Sequence, residues 1–182
     1  MKTIGITLSL LALLGNVPTA QAANTIDSVY TSLKTEDCKT LESNPNEAGW
    51  YKGRCKGTAG YQLDLTEGDL RQSLTVITPQ NKEFPLELWA NVSGGFSALG
   101  EKAEWRVQKT ANKTQPIALI VRFNVSEDPE KPEKNTSYLV VSKITADKIC
   151  VTDVVKPSTT ANETARKLAD TAANKACKTA AQ

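Results

Sequence analysis

The chain contains no histidine. That one absence removes Ser-His and Cys-His nucleophilic pairs, imidazole general bases and imidazole metal ligands together. No Gly-x-Ser-x-Gly or Ser-x-x-Lys motif occurs, so the common serine-nucleophile signatures are missing too. No Cys-x-x-Cys occurs, which argues against a thioredoxin-type oxidoreductase. Gly95 to Lys102 approaches a phosphate loop, but Glu101 separates Gly100 from the lysine and Ala103 stands where Ser or Thr is needed. Charge of either sign is scarce in excess: 22 basic against 20 acidic residues leave a net +2, no global pull toward nucleic acid or an anionic membrane. After the first residues, no stretch is apolar enough to span a bilayer. The expectation is a protein without cofactor, metal or nucleic-acid partner.

The N-terminal segment reads as an export signal. Lys2 supplies a short positive region, and Ile4 to Leu14 is an apolar run too short to cross a bilayer. Asn16, Val17 and Pro18 break it, and Ala20-Gln21-Ala22 is a small-x-small cleavage site. Residues 1–22 are therefore expected to be a cleaved signal peptide, and 23–182 a single periplasmic or secreted domain. An even number of cysteines in an exported chain reads as disulfides. Of the three pairings open to Cys38, Cys55, Cys150 and Cys177, the sequential one is expected, because each pair lies in its own part of the chain and closes a short loop.

Strands dominate the reading of the mature chain. Tyr61 to Leu65 alternates with period two, Thr66 to Asp69 is a turn, and Leu70 to Thr78 returns. Pro79 to Gly100 lacks a sustained period and is expected to be mostly loop, with a helical turn near Leu86 to Asn91. Ala103 to Val107 resumes a strand. Ile117 to Val125 carries large apolar residues at its odd positions, so that face belongs in the core. Tyr138 to Ile144 and Lys148 to Val155 form a hairpin. Thr160 and Glu163 have capping-box spacing. Beyond them Ala165, Leu168, Ala169, Ala172 and Ala176 share one helical face, with Arg166, Lys167, Asp170 and Asn174 opposite. The sum predicts an α+β fold: an antiparallel β-meander of about six to seven strands with a C-terminal helix packed on it and two disulfides.

Three groups of residues are candidates for a site. Trp50, Tyr51, Arg54 and Tyr61 interleave aromatic and basic side chains, which can hold a sugar or an anionic polymer by stacking and charge; burial of one strand face explains the same pattern. Phe96 lies in a glycine-framed loop and is a candidate partner-binding knob, or a residue folded over the open end of the sheet. Glu104 and Arg106 flank Trp105 on one strand face, placed to pair with each other or to meet a ligand, with Arg122 near enough to join them. Asp64, Glu67 and Asp69 cluster at a turn and read as solvated, with too few oxygen ligands for calcium. Asn-x-Ser/Thr matches at Asn91, Asn112, Asn124, Asn135 and Asn162 read as chance in a Thr- and Ser-rich chain behind a bacterial-type signal.

Taken in order, Tyr30 to Leu33 with Cys38, Trp50…Cys55…Gly57…Gly60, Glu67-Gly68-Asp69-Leu70-Arg71, Glu104-Trp105-Arg106, Leu139 to Lys143, Cys150, and Asn162…Ala165-Arg166…Ala169-Asp170…Cys177 resemble a family of small secreted bacterial proteins without an assigned function. The resemblance implies a single domain with four structural cysteines and brings no reaction, ligand or catalytic residue. The function expected is a non-enzymatic binding, adaptor or inhibitor-type protein docking an envelope protein or a cell-wall component. The alternatives are a carboxylate-based envelope hydrolase and a purely structural periplasmic protein.

Overall fold

The computed structural model describes residues 25–179 other than 47, 48, 112, 129 and 132. The expected signal peptide lies outside the described residues. Ten strands follow in order: β1 (Thr25–Ser32), β2 (Lys39–Asn44), β3 (Trp50–Lys56), β4 (Gln62–Gly68), β5 (Arg71–Ile77), β6 (Glu83–Pro85), β7 (Phe96–Thr110), β8 (Lys113–Ser126), β9 (Asn135–Ile144) and β10 (Ile149–Val155). A one-turn helix, α1 (Leu88–Asn91), precedes β7, and α2 (Ala161–Asp170) follows β10.

This corrects the expected six-to-seven-strand antiparallel meander. All ten strands join one mixed sheet in the order β10-β9-β8-β7-β5-β4-β3-β2, with β1 beside β7 and β6 beside β5. The crossover is at β7, which meets β5 in parallel at Arg71 and Ser97 and takes β1 antiparallel further along the same edge. Four strand segments escaped the periodic reading: β2 (Lys39–Asn44), almost wholly exposed, and three others. β1 is mostly exposed, so its alternation carries little apolar signal. β6 is three residues long and ends in proline. The start of β7, Phe96 to Leu99, was expected to be loop; it pairs with the end of β8 before a register shift between Leu99 and Ala103.

The sheet folds over on itself. Leu63, Leu65, Leu74 and Val76 from the first half share one core with Trp105, Val107, Leu119, Val121, Phe123 and Val125 from the second. The odd positions of β8 from Leu119 to Val125 are thus buried, as their spacing predicts, and each such large side chain contributes about 1.5–3 kcal/mol relative to exposure. Trp105 is at the centre: fully buried, its indole Nε1 donates to Thr31 Oγ1 at 2.9 Å. The opposite face of β8 and β9 forms a second core, where Ala118, Ile120, Leu139 and Val141 meet Ala165, Ala169 and Ala172. The second half of the sheet is therefore covered on both sides.

The helix is shorter than its pattern suggests. α2 ends at Asp170, a 3-10 turn over Ala172–Asn174 follows, and Ala176 is exposed. The Thr160 side chain makes no capping hydrogen bond, so the capping box does not form. The disulfides pair sequentially, Cys38–Cys55 and Cys150–Cys177, as expected from their separations. The second fastens the segment after α2 to β10, where Lys178 N–H also donates to Val151 O at 2.8 Å.

Gly57 makes the central tryptophan possible. A Cβ there would lie 2.5 Å from Tyr61 O and 2.8 Å from the Trp105 ring. Gly57→Ala is expected to cost about 1–3 kcal/mol, since neither a backbone oxygen nor a fully packed indole can yield. Urea unfolding followed by tryptophan fluorescence measures it; an unchanged midpoint would remove Gly57 from this role.

Candidate functional site

The candidate residues separate into three structural roles. Trp50 and Tyr51 point to opposite faces of β3. The Trp50 indole lies on Gly68 and donates to Glu42 Oε2 at 3.2 Å, whereas the Tyr51 ring lies over Gly53 against the main core, its hydroxyl buried without a partner. Arg54 is committed to Asp64 through two hydrogen bonds of 2.6 and 2.8 Å. Asp64 was expected to be a solvated turn residue; it is 1% exposed, the buried anion of a bidentate pair. That pair raises the Arg54 pKa, with the Asp64 hydrogen bonds as the main cause. Tyr61 packs beside Trp105, with ring centres 6.0 Å apart, and burial raises its pKa. The aromatic and basic residues of β3 thus do not converge on one surface.

Glu104, Trp105 and Arg106 divide between two faces of β7. Trp105 enters the core, and its two neighbours reach α2. Arg106 Nε and Nη2 donate to the Asp170 carboxylate at 2.7 and 3.0 Å. Arg166 Nε and Nη2 donate to Glu104 at 2.6 and 3.3 Å. Ser28 of β1 joins the pairs, donating to Glu104 Oε1 at 2.6 Å while accepting from Arg106 Nη1. Tyr30 OH accepts from Arg166 Nη2 at 2.9 Å. The spacing makes this possible: i and i+2 on a strand share a face, as do i and i+4 on a helix. Glu104 and Arg106 therefore do not pair with each other; each is committed to α2, and Glu104 also lines a shallow cleft of about 260 Å³ with Tyr30, Arg122 and Arg166. Arg166 and Asp170, expected on the solvent side of the helix, bind it to the sheet. Arg122 stays outside the clamp, exposed and donating to Ser137 Oγ at 2.8 Å.

One end of the folded sheet is open. A cleft of about 330 Å³ is lined there by Glu67, Leu70, Gln72, Phe96, Ser97, Ala98, Asn124, Ser126 and Asn135, at the low end of the ~300–1,000 Å³ of ligand clefts. Of the sequence candidates only Phe96 lies here. Gly68 pairs with Arg71, so Asp69 and Leu70 form a two-residue hairpin turn with φ of 51° and 57°. Such turns favour Asn, Asp and Gly. Leucine in this region costs about 1–2 kcal/mol, and this one is 62% exposed. Arg71 braces the rim: its guanidinium sits 4.9 Å from the Phe96 ring centre, Nε donates to Gly94 O at 3.0 Å, and Nη1 donates to Asp69. Inside, Gln72 Nε2 donates to Glu67 Oε2 at 2.6 Å, and Gln72 Oε1 accepts from Leu99 N–H at 2.7 Å. Ser97 is 8% exposed, and its Oγ is buried without a partner. Glu67 and Asp69, read from the sequence as solvated with Asp64, are thus tied separately to Gln72 and Arg71. Among the described residues no group of three or more acid or cysteine side chains could hold a metal ion. The sequence predicts this turn at Thr66 to Asp69 and Leu70 in the returning strand; β4 instead runs on to Gly68 and the turn is Asp69–Leu70.

No known family, curated protein or solved structure matches this chain.

The clamp carries a pH dependence. Burial alone would raise the Glu104 pKa, but hydrogen bonds from Arg166 and Ser28 and the charge of Arg166 outweigh it and hold the carboxyl below its usual range. A carboxylate depressed in the folded state stabilises it above the unfolded pKa of about 4.3, and the contribution disappears as pH falls through the folded value. Glu104→Gln is therefore expected to destabilise at pH 7 by about 1–2 kcal/mol and to flatten the acid limb of the stability curve. Urea midpoints between pH 7 and pH 3 test this; parallel wild-type and variant curves would contradict the linkage.

Proposed function

We propose that this is an exported, non-enzymatic binding protein of the bacterial cell envelope that docks its partner at the Leu70–Phe96 end of the sheet. The observation that carries the reading is Leu70: a strained, exposed leucine on the rim of a cleft, beside an exposed phenylalanine held by Arg71. Strain at a surface side chain persists where something other than stability selects it. The two disulfides support an oxidising compartment, and no helix among the described residues is long and apolar enough to cross a membrane. Glu67 is the one carboxylate on the cleft wall, which favours recognition over hydrolysis by paired acids. The family resemblance seen in the sequence fits this reading without supplying a partner.

Strain and function predict opposite responses at one position. Leu70→Gly is expected to raise stability by about 1 kcal/mol and to weaken partner capture; Phe96→Ala weakens capture with stability nearly unchanged. Thermal unfolding and cross-linking in the intact envelope, with identification of the bound material by mass spectrometry, provide the two readings. Capture that survives both substitutions would move the docking site elsewhere.

A further inference from the structure

We infer that the end cleft recognises a neutral saccharide. This rests on the cleft being the binding site and names the chemistry it selects. A sugar ring presents two unlike surfaces, an equatorial belt of hydroxyls that donate and accept and a face of C–H groups without polarity. The cleft answers both. Leu70, Phe96 and Ala98 form its apolar part, while Glu67, Asn124, Ser126 and Asn135 place a carboxylate, amides and a hydroxyl among them.

The internal hydrogen bonds decide which atoms face a ligand. Gln72 spends both ends of its amide on the protein, on Glu67 Oε2 and on Leu99 N–H, and so acts as a brace. Among the described residues, Glu67 Oε1 carries no hydrogen bond and is an acceptor alone. Asn124 Oδ1 accepts from Ser137 Oγ at 2.8 Å, which leaves the amide nitrogen as a donor. Ser97 Oγ, in a side chain more than nine-tenths buried, has no partner at all. That hydroxyl has no accessible surface and lies on the core side of β7 with Val125, opposite Phe96 and Ala98, so it takes no part in contacting a ligand. The walls hold acceptor-only, donor-only and dual groups, the set that neighbouring sugar hydroxyls require.

Other ligand classes fit less well. A phosphate or carboxylate meets Glu67, while the nearby cation Arg71 is committed to Asp69, Gly94 O and the Phe96 ring, and among the described residues the cleft wall holds no other cation. A bare metal ion finds a single carboxylate where hard cations take six or more oxygens. A lipid chain would leave Glu67 and the amides unpaired.

The exported protein with its disulfides intact is titrated with tri-N-acetylchitotriose, maltotriose and, as an anionic control, trigalacturonate. Amide shifts of Ser97, Leu99 and Asn124 report from the cleft. The expected result is saturable binding of at least one neutral trisaccharide and none of the anionic one. Phe96→Ala and Glu67→Gln each weaken it about tenfold, with amide spectra otherwise unchanged. Absence of saturation by both neutral sugars, or shifts that map away from the cleft, overturns the saccharide assignment. If partner capture in the envelope still depends on Leu70 and Phe96 in that case, the docking site stands and a peptide segment replaces the sugar. If that dependence is also absent, the docking site falls with it.

Discussion

β7 must satisfy two neighbours at once, and the rest of the molecule is arranged around that requirement. Its inward residues fill the core, with Trp105 at the centre. Its outward residues Glu104 and Arg106 are paired to α2 through four charge-assisted hydrogen bonds, and three more recruit Ser28 and Tyr30. Charge-assisted bonds of this kind are about twice as strong as neutral ones, and their geometry fixes rotation and register as well as distance. The small face of α2, alanines at 165 and 169 continued by Ala172 in the following 3-10 turn, brings little area to its own docking. The ion pairs supply the orientation that such a smooth surface cannot. β1 is held by the same network, which explains how a largely exposed strand finds its place far from its neighbours in sequence.

Much of this was legible from the residues alone. The alternation of Leu119, Val121, Phe123 and Val125 identified the best-buried strand, and cysteine proximity identified both bridges. The helix after Thr160 was visible from its alanine spacing. The topology was not, because the pairing of β1 and β5 on one edge of β7 depends on long-range complementarity that leaves no periodic trace. The site was misread for a related reason. Glu104, Trp105 and Arg106 form the most conspicuous chemical cluster in the chain, and their prominence reflects a structural junction, with partners about sixty positions away. Leu70 was conspicuous only once its turn was known.

The two ends of the folded sheet differ in kind. At the Tyr61 end, a second cleft of about 290 Å³ is lined by hairpin residues such as Pro79, Pro116 and Thr145, without an exposed aromatic. At the other end, two large apolar side chains, Leu70 and Phe96, stand exposed on the rim. A fold that keeps its covalent staples and its ion-pair clamp away from the Leu70–Phe96 rim can vary that rim at little cost to the core, the usual division between scaffold and recognition surface.

The Cys150–Cys177 bridge closes a loop that contains the end of β10 and all of α2. A protease that cuts anywhere within that loop cannot detach either piece, because the new chain end remains covalently joined to the sheet, and the Arg106–Asp170 and Arg166–Glu104 pairs keep the nicked helix in register. The connection between β10 and α2 is the exposed stretch where such a cut would fall. A chain cut there therefore remains covalently one molecule, although opening the loop gives the unfolded chain more freedom and lowers the folding free energy.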